Sequence, residues 1–142
     1  MRRSTVIFIL LAIFFVHSCG KNGDVSSEIS GMLDSQVSSW NAGDLEGYMR
    51  YYLGSEDLTF HSGKRLLRGW DTLDAMYRDK YSGEKRGILG FTDVEIAPLS
   101  PGAAYVIGGW QVQLSDTLLS GRFTLIVRKT GDGWRIVHDH SS

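Results

Sequence analysis

Apolar side chains recur at helical spacing in the first half of the chain. They occupy every third or fourth position across residues 25–40, with serines and acidic residues between them, and this pattern predicts an amphipathic helix. Gly43 can take the left-handed conformation that ends such a helix, and Asp44 can begin a second one. The second helix is predicted to end before Gly54.

Two further elements are predicted before the pattern changes. Residues 57–68 contain two short strand-like stretches around residues 62–63, which predicts a hairpin. Residues 70–81 return to helical spacing and predict a third helix, for which Asp71 or Thr72 is the expected cap. The first half of the chain is therefore predicted to be mainly helical.

The second half of the chain shows strand-like segments and no helical spacing. Short turns with proline, glycine and aspartate separate these segments, as in tight antiparallel connections. The predicted strands cover about residues 86–97, 103–114, 117–129 and 134–141. Helices followed by a meander of long antiparallel strands predict an α+β fold with the helices gathered on one face of the sheet.

The chain begins with a basic and then strongly apolar segment. Arg2 and Arg3 precede the apolar run of residues 6–16, which is too short to cross a hydrocarbon core that needs about 20 helical residues. A basic start followed by a short apolar run is typical of an export signal. We therefore predict a signal peptide over residues 1–18 and exclude it from the fold.

The sequence VHSC at the end of this segment resembles the lipobox of bacterial lipoproteins, with His17 departing from the usual pattern. In that family the cysteine carries lipid and begins the mature protein, which would make Cys19 the lipidation site. Residues 19–24 are then expected to be a lipidated tether, and residues 25–142 the folded domain. The expected location is the bacterial cell envelope, anchored to a membrane by lipid alone, or secreted or periplasmic without lipid.

The composition of the chain excludes an internal disulfide and argues against one class of partner. Cys19 is the only cysteine, so an exported protein has no intramolecular disulfide available. Removing residues 1–18 takes two of the 15 basic residues away and leaves 13 against 16 acidic residues. A weakly acidic domain without a basic, aromatic-rich run lacks an electrostatic surface for nucleic acid. We expect no nucleic-acid partner and no cofactor.

Four stretches of the sequence resemble the nuclear transport factor 2-like (NTF2-like) superfamily, and within it the SnoaL-like and ketosteroid-isomerase-homologue branch. They are WNAGDLEGYMRYY, DLTF, RGWDTLDAMYRDKY and GRFTLIVRKTGDGWRIVHDHSS. The resemblance implies a cone in which a strongly bent antiparallel sheet wraps around N-terminal helices and encloses a cavity. It also implies dimers formed through the outer face of the sheet. Because the superfamily contains isomerases, cyclases, dehydratases and association domains, the resemblance names no activity.

The last predicted strand contains two histidines separated by one residue. In a regular strand alternate side chains share a face, so His138 and His140 are expected beside Trp134 and Ile136, with Asp139 on the opposite face. A histidine and the aspartate that adjoins it are therefore not expected to act as a dyad.

Three roles are open for the two histidines. As metal ligands they would need a third donor, for which His61 is the only other histidine after the predicted signal. As structural residues they would bond to backbone groups or tyrosine hydroxyls. As polar groups on an apolar cavity wall they would contact a ligand, and this is the role we predict. His138 and His140 are thus the candidate catalytic residues, and no metal is predicted.

Aromatic residues supply most of the other candidate binding residues. Aromatic stripes at helical spacing are core more often than ligand contacts, but a buried tyrosine hydroxyl requires a partner and could meet the histidines across the cone. The predicted ligand-binding residues are Trp40, Tyr48, Tyr52, Tyr77, Trp110, Arg122 and Trp134. The carboxylates Asp93, Glu95 and Asp116 are expected to be solvated.

These residues predict an envelope-tethered domain that binds a small, partly apolar molecule with a carbonyl or hydroxyl group. An isomerase, cyclase or dehydratase that moves a proton with a histidine is the first alternative. A dimerisation or accessory domain without a ligand is the second. Since the helices can cover only one face of the sheet, we expect a homodimer that covers outward apolar residues among Val106, Val112, Leu125 and Val127.

Overall fold

The first helix carries a buried apolar stripe along one side. The computed structural model describes residues 21–142, and helix α1 covers Lys21–Asn41. Ile29, Leu33 and Trp40 are almost fully buried on this stripe, as helical spacing predicts. The helix begins inside the segment that was expected to be the tether, whereas the predicted signal peptide and Cys19 lie outside the described residues. None of the described helices is long and apolar enough to cross a membrane.

A tight connection joins α1 to the short helix α2, which covers Leu45–Met49. Gly43 has a φ of 83°, and the Asp44 carboxylate accepts a hydrogen bond from the backbone N–H of Gly47 at 2.8 Å, so the predicted stop and start are confirmed. Helix α2 ends earlier than predicted because the backbone of residues 51–53 bonds to Ile136 instead.

The predicted hairpin and third helix follow. Strands β1 (Thr59–Ser62) and β2 (Arg65–Arg68) pair antiparallel, and helix α3 covers Trp70–Lys80. The expected cap of α3 was wrong, because the cap is Gly69, two residues before Asp71. The backbone N–H groups of Gly69 and Trp70 bond to carbonyls of the loop before β1 and hold this start in place.

Four long strands form the rest of the sheet. After a 3₁₀ turn at Gly83–Arg86, they are β3 (Ile88–Ser100), β4 (Ala103–Gln113), β5 (Leu118–Thr130) and β6 (Gly133–Ser141). The sheet order is β2-β1-β6-β5-β4-β3, so the predicted antiparallel meander is confirmed. Strand β1 pairs parallel with β6, which the sequence did not predict. The α+β cone fold is as expected, and the sheet stays open at β2 and β3.

The inner face of the sheet packs against the helices. Val106, Val112, Leu125 and Val127 are buried on this face, so the expectation that some of them point outward was wrong. Their neighbours along the same strands point outward. Tyr105, Ile107 and Ile126 are accordingly the large apolar residues exposed in the middle of the outer face.

Two bulges in the middle of strands interrupt the regular pairing, and a third register shift lies at the end of β3 between Pro98 and Ser100. In β6, Ile136 pairs with Val127 and His138 pairs with Ile126, which leaves Val137 as an extra residue. In β3, a register shift between Thr92 and Glu95 accompanies a positive φ at Asp93. Each bulge changes which side chains of its strand face the helices.

The end of α1 covers the start of the edge strand β3. The Asn41 side-chain amide donates to the Leu89 carbonyl at 3.0 Å and accepts from the Leu89 N–H at 2.8 Å. One residue earlier, the Trp40 indole N–H donates to the Gly87 carbonyl at 3.2 Å. The Asn41 side chain therefore satisfies two backbone hydrogen-bonding groups at the edge of β3.

Candidate functional site

A cavity of about 520 Å³ lies between the helices and the inner face of the sheet. This size is typical of a pocket for a small organic molecule. Aromatic residues are the largest group in its wall, with side chains from all three helices and four strands: Trp40, Tyr48, Tyr52, Phe60, Tyr77, Tyr81, Phe91, Trp110 and Phe123. The polar groups that interrupt this wall determine its chemistry.

Asp139 is the one buried carboxylate among the residues that line the cavity. The bulge at Val137 reverses the alternation of β6, so Asp139 and Ser141 face inward, while His138 and His140 face outward. The expected faces of these residues were therefore wrong. Trp134 and Ile136 point inward before the bulge, and the residues after it follow the opposite parity.

Two hydroxyl groups hold the Asp139 carboxylate. Tyr52 Oη donates to one carboxylate oxygen at 2.8 Å, and Ser141 Oγ donates to the other at 2.6 Å. Burial nevertheless raises the pKa of Asp139 to about 6, with the two hydrogen bonds opposing that rise. The group can therefore hold or release a proton near neutral pH.

The tyrosine hydroxyls form a chain that ends at this carboxylate. Tyr48 Oη lies 3.3 Å from Tyr77 Oη and 3.4 Å from Tyr52 Oη, and Tyr52 donates to Asp139. Burial raises the pKa of Tyr48 to about 12 and raises the pKa values of Tyr52 and Tyr77 well above their usual range. All three hydroxyls therefore stay protonated at neutral pH and can donate hydrogen bonds.

Two residues of the cavity lining carry a buried nitrogen without a partner among the described residues. The atoms are the side-chain amide nitrogen of Gln36 and the indole nitrogen of Trp110. Gln36 is only 1 % exposed and occupies a position on the buried stripe of α1. Sequence reasoning missed it, although a polar residue on an otherwise apolar stripe is a signal that can be read.

Charged side chains mark the rim of the cavity. Arg65 on β2 and Asp79 and Lys80 on α3 line the cavity and are exposed to solvent. The Lys80 ammonium lies 4.9 Å from the centre of the Tyr81 ring, close enough for a cation–π contact.

Five of the predicted ligand-binding residues line the cavity: Trp40, Tyr48, Tyr52, Tyr77 and Trp110. Arg122 does not, because it lies on the outer face and pairs with Asp93 at 3.3 Å. Trp134 is buried away from the cavity lining, and its indole N–H donates to Glu28 of α1 at 2.6 Å. Asp93, Glu95 and Asp116 are exposed, as expected.

The candidate catalytic histidines instead belong to a cluster on the outer face. His138 Nδ1 is hydrogen-bonded to Thr59 Oγ1 at 2.7 Å, and the rings of His140 and His61 lie 4.9 Å apart. Partial burial, followed by the charges of the two neighbouring histidines, lowers the pKa of His138. Within residues 21–142 no group of three or more histidine, cysteine or acidic residues is arranged to hold a metal ion.

Comparison with protein families finds one matching domain model. The model is described as a SnoaL-like domain, and it matches residues 29–142. This range contains the entire cavity lining, from Gln36 to Ser142. A comparison with curated proteins finds no match.

Solved structures share this architecture. An NTF2-like protein of unknown function from Shewanella oneidensis MR-1 is 39 % identical, with a TM-score of 0.80 over 83 % of this chain and 98 % of that one. An NTF2-like protein of unknown function from Pseudomonas putida KT2440 is 16 % identical, with a TM-score of 0.72 over 87 % and 89 % of the two chains. An NTF2-like superfamily protein from Salmonella enterica serovar Typhimurium LT2 is 22 % identical, with a TM-score of 0.71 over 84 % and 91 %. The last two similarities concern the fold alone.

Proposed function

The chain belongs to the SnoaL-like domain family of the NTF2-like superfamily, and we propose that it is a binding domain for a small, partly apolar molecule with a hydroxyl or carbonyl group. The observation that carries this proposal is the cavity of about 520 Å³, whose aromatic wall surrounds a buried carboxylate. Apolar pockets with a few convergent polar groups are the usual form of small-molecule sites.

The polar groups favour a ligand hydroxyl at Asp139. Each carboxylate oxygen already accepts one hydrogen bond, and an ionised carboxylate has room for more. A hydroxyl that donates to this carboxylate would gain a charge-assisted bond in a site shielded from water. The aromatic residues around it would contact the apolar body of the ligand.

Calorimetric titration with naphthalene and 2-naphthol tests this proposal. At pH 8, where Asp139 is ionised, 2-naphthol should bind about tenfold more tightly than naphthalene, as expected for a hydrogen bond to a charged group. Asp139→Asn should remove most of that preference. His140→Ala is the matched control on the outer face and should change neither affinity. Failure of both compounds to bind would overturn the proposal.

Proton transfer by Asp139 is a second candidate function. It is favoured by the pKa of about 6, because a general base or acid works best when its pKa lies near the working pH. Asp139 would take a proton from the carbon next to a carbonyl group, and a tyrosine hydroxyl would donate to the oxygen that becomes negative. The candidate base is thus the carboxylate, because the histidines lie on the outer face.

Deuterium exchange into 2-tetralone tests this second function. In D₂O the carboxylate would remove a proton from the carbon beside the carbonyl, and a deuteron from solvent would return to the same carbon. NMR should show exchange that disappears in Asp139→Asn and persists in His138→Ala. Exchange no faster than in buffer would exclude this chemistry for α-carbonyl protons and leave the binding function standing.

The proposal includes the cellular location of the protein. The support is the basic and apolar start of the sequence and the VHSC motif, which indicate export and lipidation at Cys19. The domain would then capture its ligand at the bacterial cell envelope, held to the membrane by acyl chains alone.

A further inference from the structure

We infer that Gln36 and Trp110 form a donor wall that selects ligands with a hydrogen-bond acceptor such as a carbonyl oxygen. The inference deepens the proposed binding function and rests on it. It starts from two residues that line the cavity, each of which carries a buried N–H group without a partner within the described residues.

Gln36 occupies a buried position at which an unpaired amide lowers the stability of the folded protein. It lies on the buried stripe of α1 between Leu33 and Trp40, and 1 % of it is exposed. A buried amide nitrogen without a partner destabilises the folded protein, and an apolar residue of similar length would fit an otherwise apolar stripe better. Since the side chain also lines the cavity, a bound acceptor would satisfy the nitrogen.

Trp110 is the exception among the four tryptophans of the chain. The indole N–H of Trp40 donates to Gly87 O at 3.2 Å, that of Trp70 to Met49 O at 3.1 Å, and that of Trp134 to Glu28 at 2.6 Å. The Trp110 nitrogen is equally hidden from solvent but has no such partner among residues 21–142. Three satisfied indoles show that this fold provides acceptors for its structural tryptophans, so the fourth needs another explanation.

The backbone opposite Trp110 holds the indole in place. Gly121 pairs with it across β4 and β5, and a Cβ on Gly121 would clash first with the Ser142 carbonyl oxygen and would lie 2.7 Å from the Trp110 ring. Glycine at this position therefore leaves room for the ring to pack against β5. A fixed ring presents its N–H in one direction, which is how a binding site obtains specificity from one hydrogen bond.

The donor wall complements Asp139. The carboxylate accepts hydrogen bonds, whereas Gln36 Nε2 and the Trp110 indole only donate them. A ligand that matches both has a hydroxyl for Asp139 and an acceptor such as a ketone oxygen for the donor wall. The rest of its surface is apolar, because the remaining lining is mainly aromatic and aliphatic.

The test uses 2-acetylnaphthalene and 2-ethylnaphthalene, which share a shape and differ in one carbonyl oxygen. Calorimetric titration of the full chain should show the ketone binding about fivefold to tenfold more tightly, the effect of one neutral hydrogen bond. At least one of Gln36→Met and Trp110→Phe should lower that preference about fivefold, according to which donor the oxygen reaches. Gln36→Met should also keep or raise the melting temperature, because it removes an unsatisfied amide.

Trp70→Phe is the matched control. Trp70 is outside the cavity lining and its indole N–H is already bonded to Met49, so this change should lower the melting temperature and leave the ketone preference unchanged. Equal binding of the two naphthalenes, or a preference that survives both Gln36→Met and Trp110→Phe, would overturn the donor wall while leaving the binding function intact. Binding of neither compound would overturn both.

Discussion

At the scale of single residues, the cavity places a carboxyl group where water has little access. Asp139 is 4 % exposed, and a tyrosine and a serine hydroxyl donate to its oxygens. Burial outweighs these two hydrogen bonds and raises the pKa to about 6. The folded protein therefore prefers the neutral form of this group, which makes its stability depend on pH.

Asp139→Asn is expected to remove this dependence. The pKa of Asp139 is about 6 in the folded state, against an ordinary value of 3.8. The carboxyl group therefore contributes fully to the free energy of unfolding below about pH 4, and this contribution is lost as the pH rises through 6. The difference corresponds to about 3 kcal/mol. The variant should match the wild type near pH 4 and become more stable by up to about 3 kcal/mol at pH 7. Urea unfolding between these pH values measures the difference in free energy of unfolding between the variant and the wild type. A difference that stays constant with pH would show that the Asp139 carboxyl does not titrate in this range.

Site residues could be predicted from the sequence where apolar or aromatic spacing shows that they face the interior. Gln36 and Asp139 lacked such a pattern or depended on a bulge, and they were not predicted. Trp40, Tyr48 and Tyr77 were found because aromatic side chains at helical spacing must face the interior. Gln36 had the same spacing but was passed over because it is polar. Asp139 was assigned to the wrong face, since alternation assumes a strand without interruption.

At the scale of elements, the bulged conformation of Val137 in β6 decides which side chains face the cavity. If Val137 took a regular pairing position, His138 and His140 would share the face of Ile136 and would line the cavity in place of Asp139. No glycine or proline marks this position in the sequence. The parallel pairing of β1 with β6 joins distant parts of the chain and likewise has no local signal. The helices, the hairpin and the meander depend on local patterns, and these were predicted.

Deletion of Val137 is expected to keep Asp139 facing the cavity. Ile136 and His138 already pair with Val127 and Ile126, so removing the extra residue between them keeps these pairings and restores regular alternation. The deletion should cost about 1 kcal/mol, close to the cost of Val137→Ala, which keeps the bulge. Circular dichroism and urea unfolding compare the two variants, and a deletion variant that loses more than about 3 kcal/mol would show that the bulge itself is needed for stability.

At the scale of the whole molecule, none of the helices within residues 21–142 covers the outer face of the sheet. Tyr105, Ile107 and Ile126 are 40 %, 38 % and 42 % exposed on neighbouring strands, which forms the apolar centre of this face. Contiguous exposed apolar residues of this kind commonly mark an interface. A second copy of the chain, meeting the first across this face, is the partner that we propose.

Ile126→Asp should therefore shift the protein from dimer to monomer in light scattering at micromolar concentration. A buried, unpaired carboxylate at the centre of an interface is strongly unfavourable. Leu118→Asp is the control, since Leu118 is also exposed but lies at the end of the β4–β5 hairpin. A wild-type protein that is monomeric under these conditions would exclude the dimer.

Cys19→Ala should release the protein from the membrane fraction without changing its melting temperature. Each buried methylene of an attached acyl chain contributes about 0.8 kcal/mol to membrane binding, and the predicted modification precedes the folded domain. Mass spectrometry of the N-terminus from the native host gives the direct measurement. An unmodified, soluble wild-type protein would contradict the lipid anchor.

The edge strand β3 bears on how the protein behaves when many copies are crowded together. A free edge of 13 residues with exposed Ile88, Val94 and Leu99 is a template on which other chains can add strands and aggregate. Asn41 occupies the hydrogen-bonding groups of Leu89, the bulge at Asp93 breaks the regular spacing, and Pro98 has no N–H to offer. These interruptions divide the edge into short stretches, which disfavours the addition of strands from other copies of the chain.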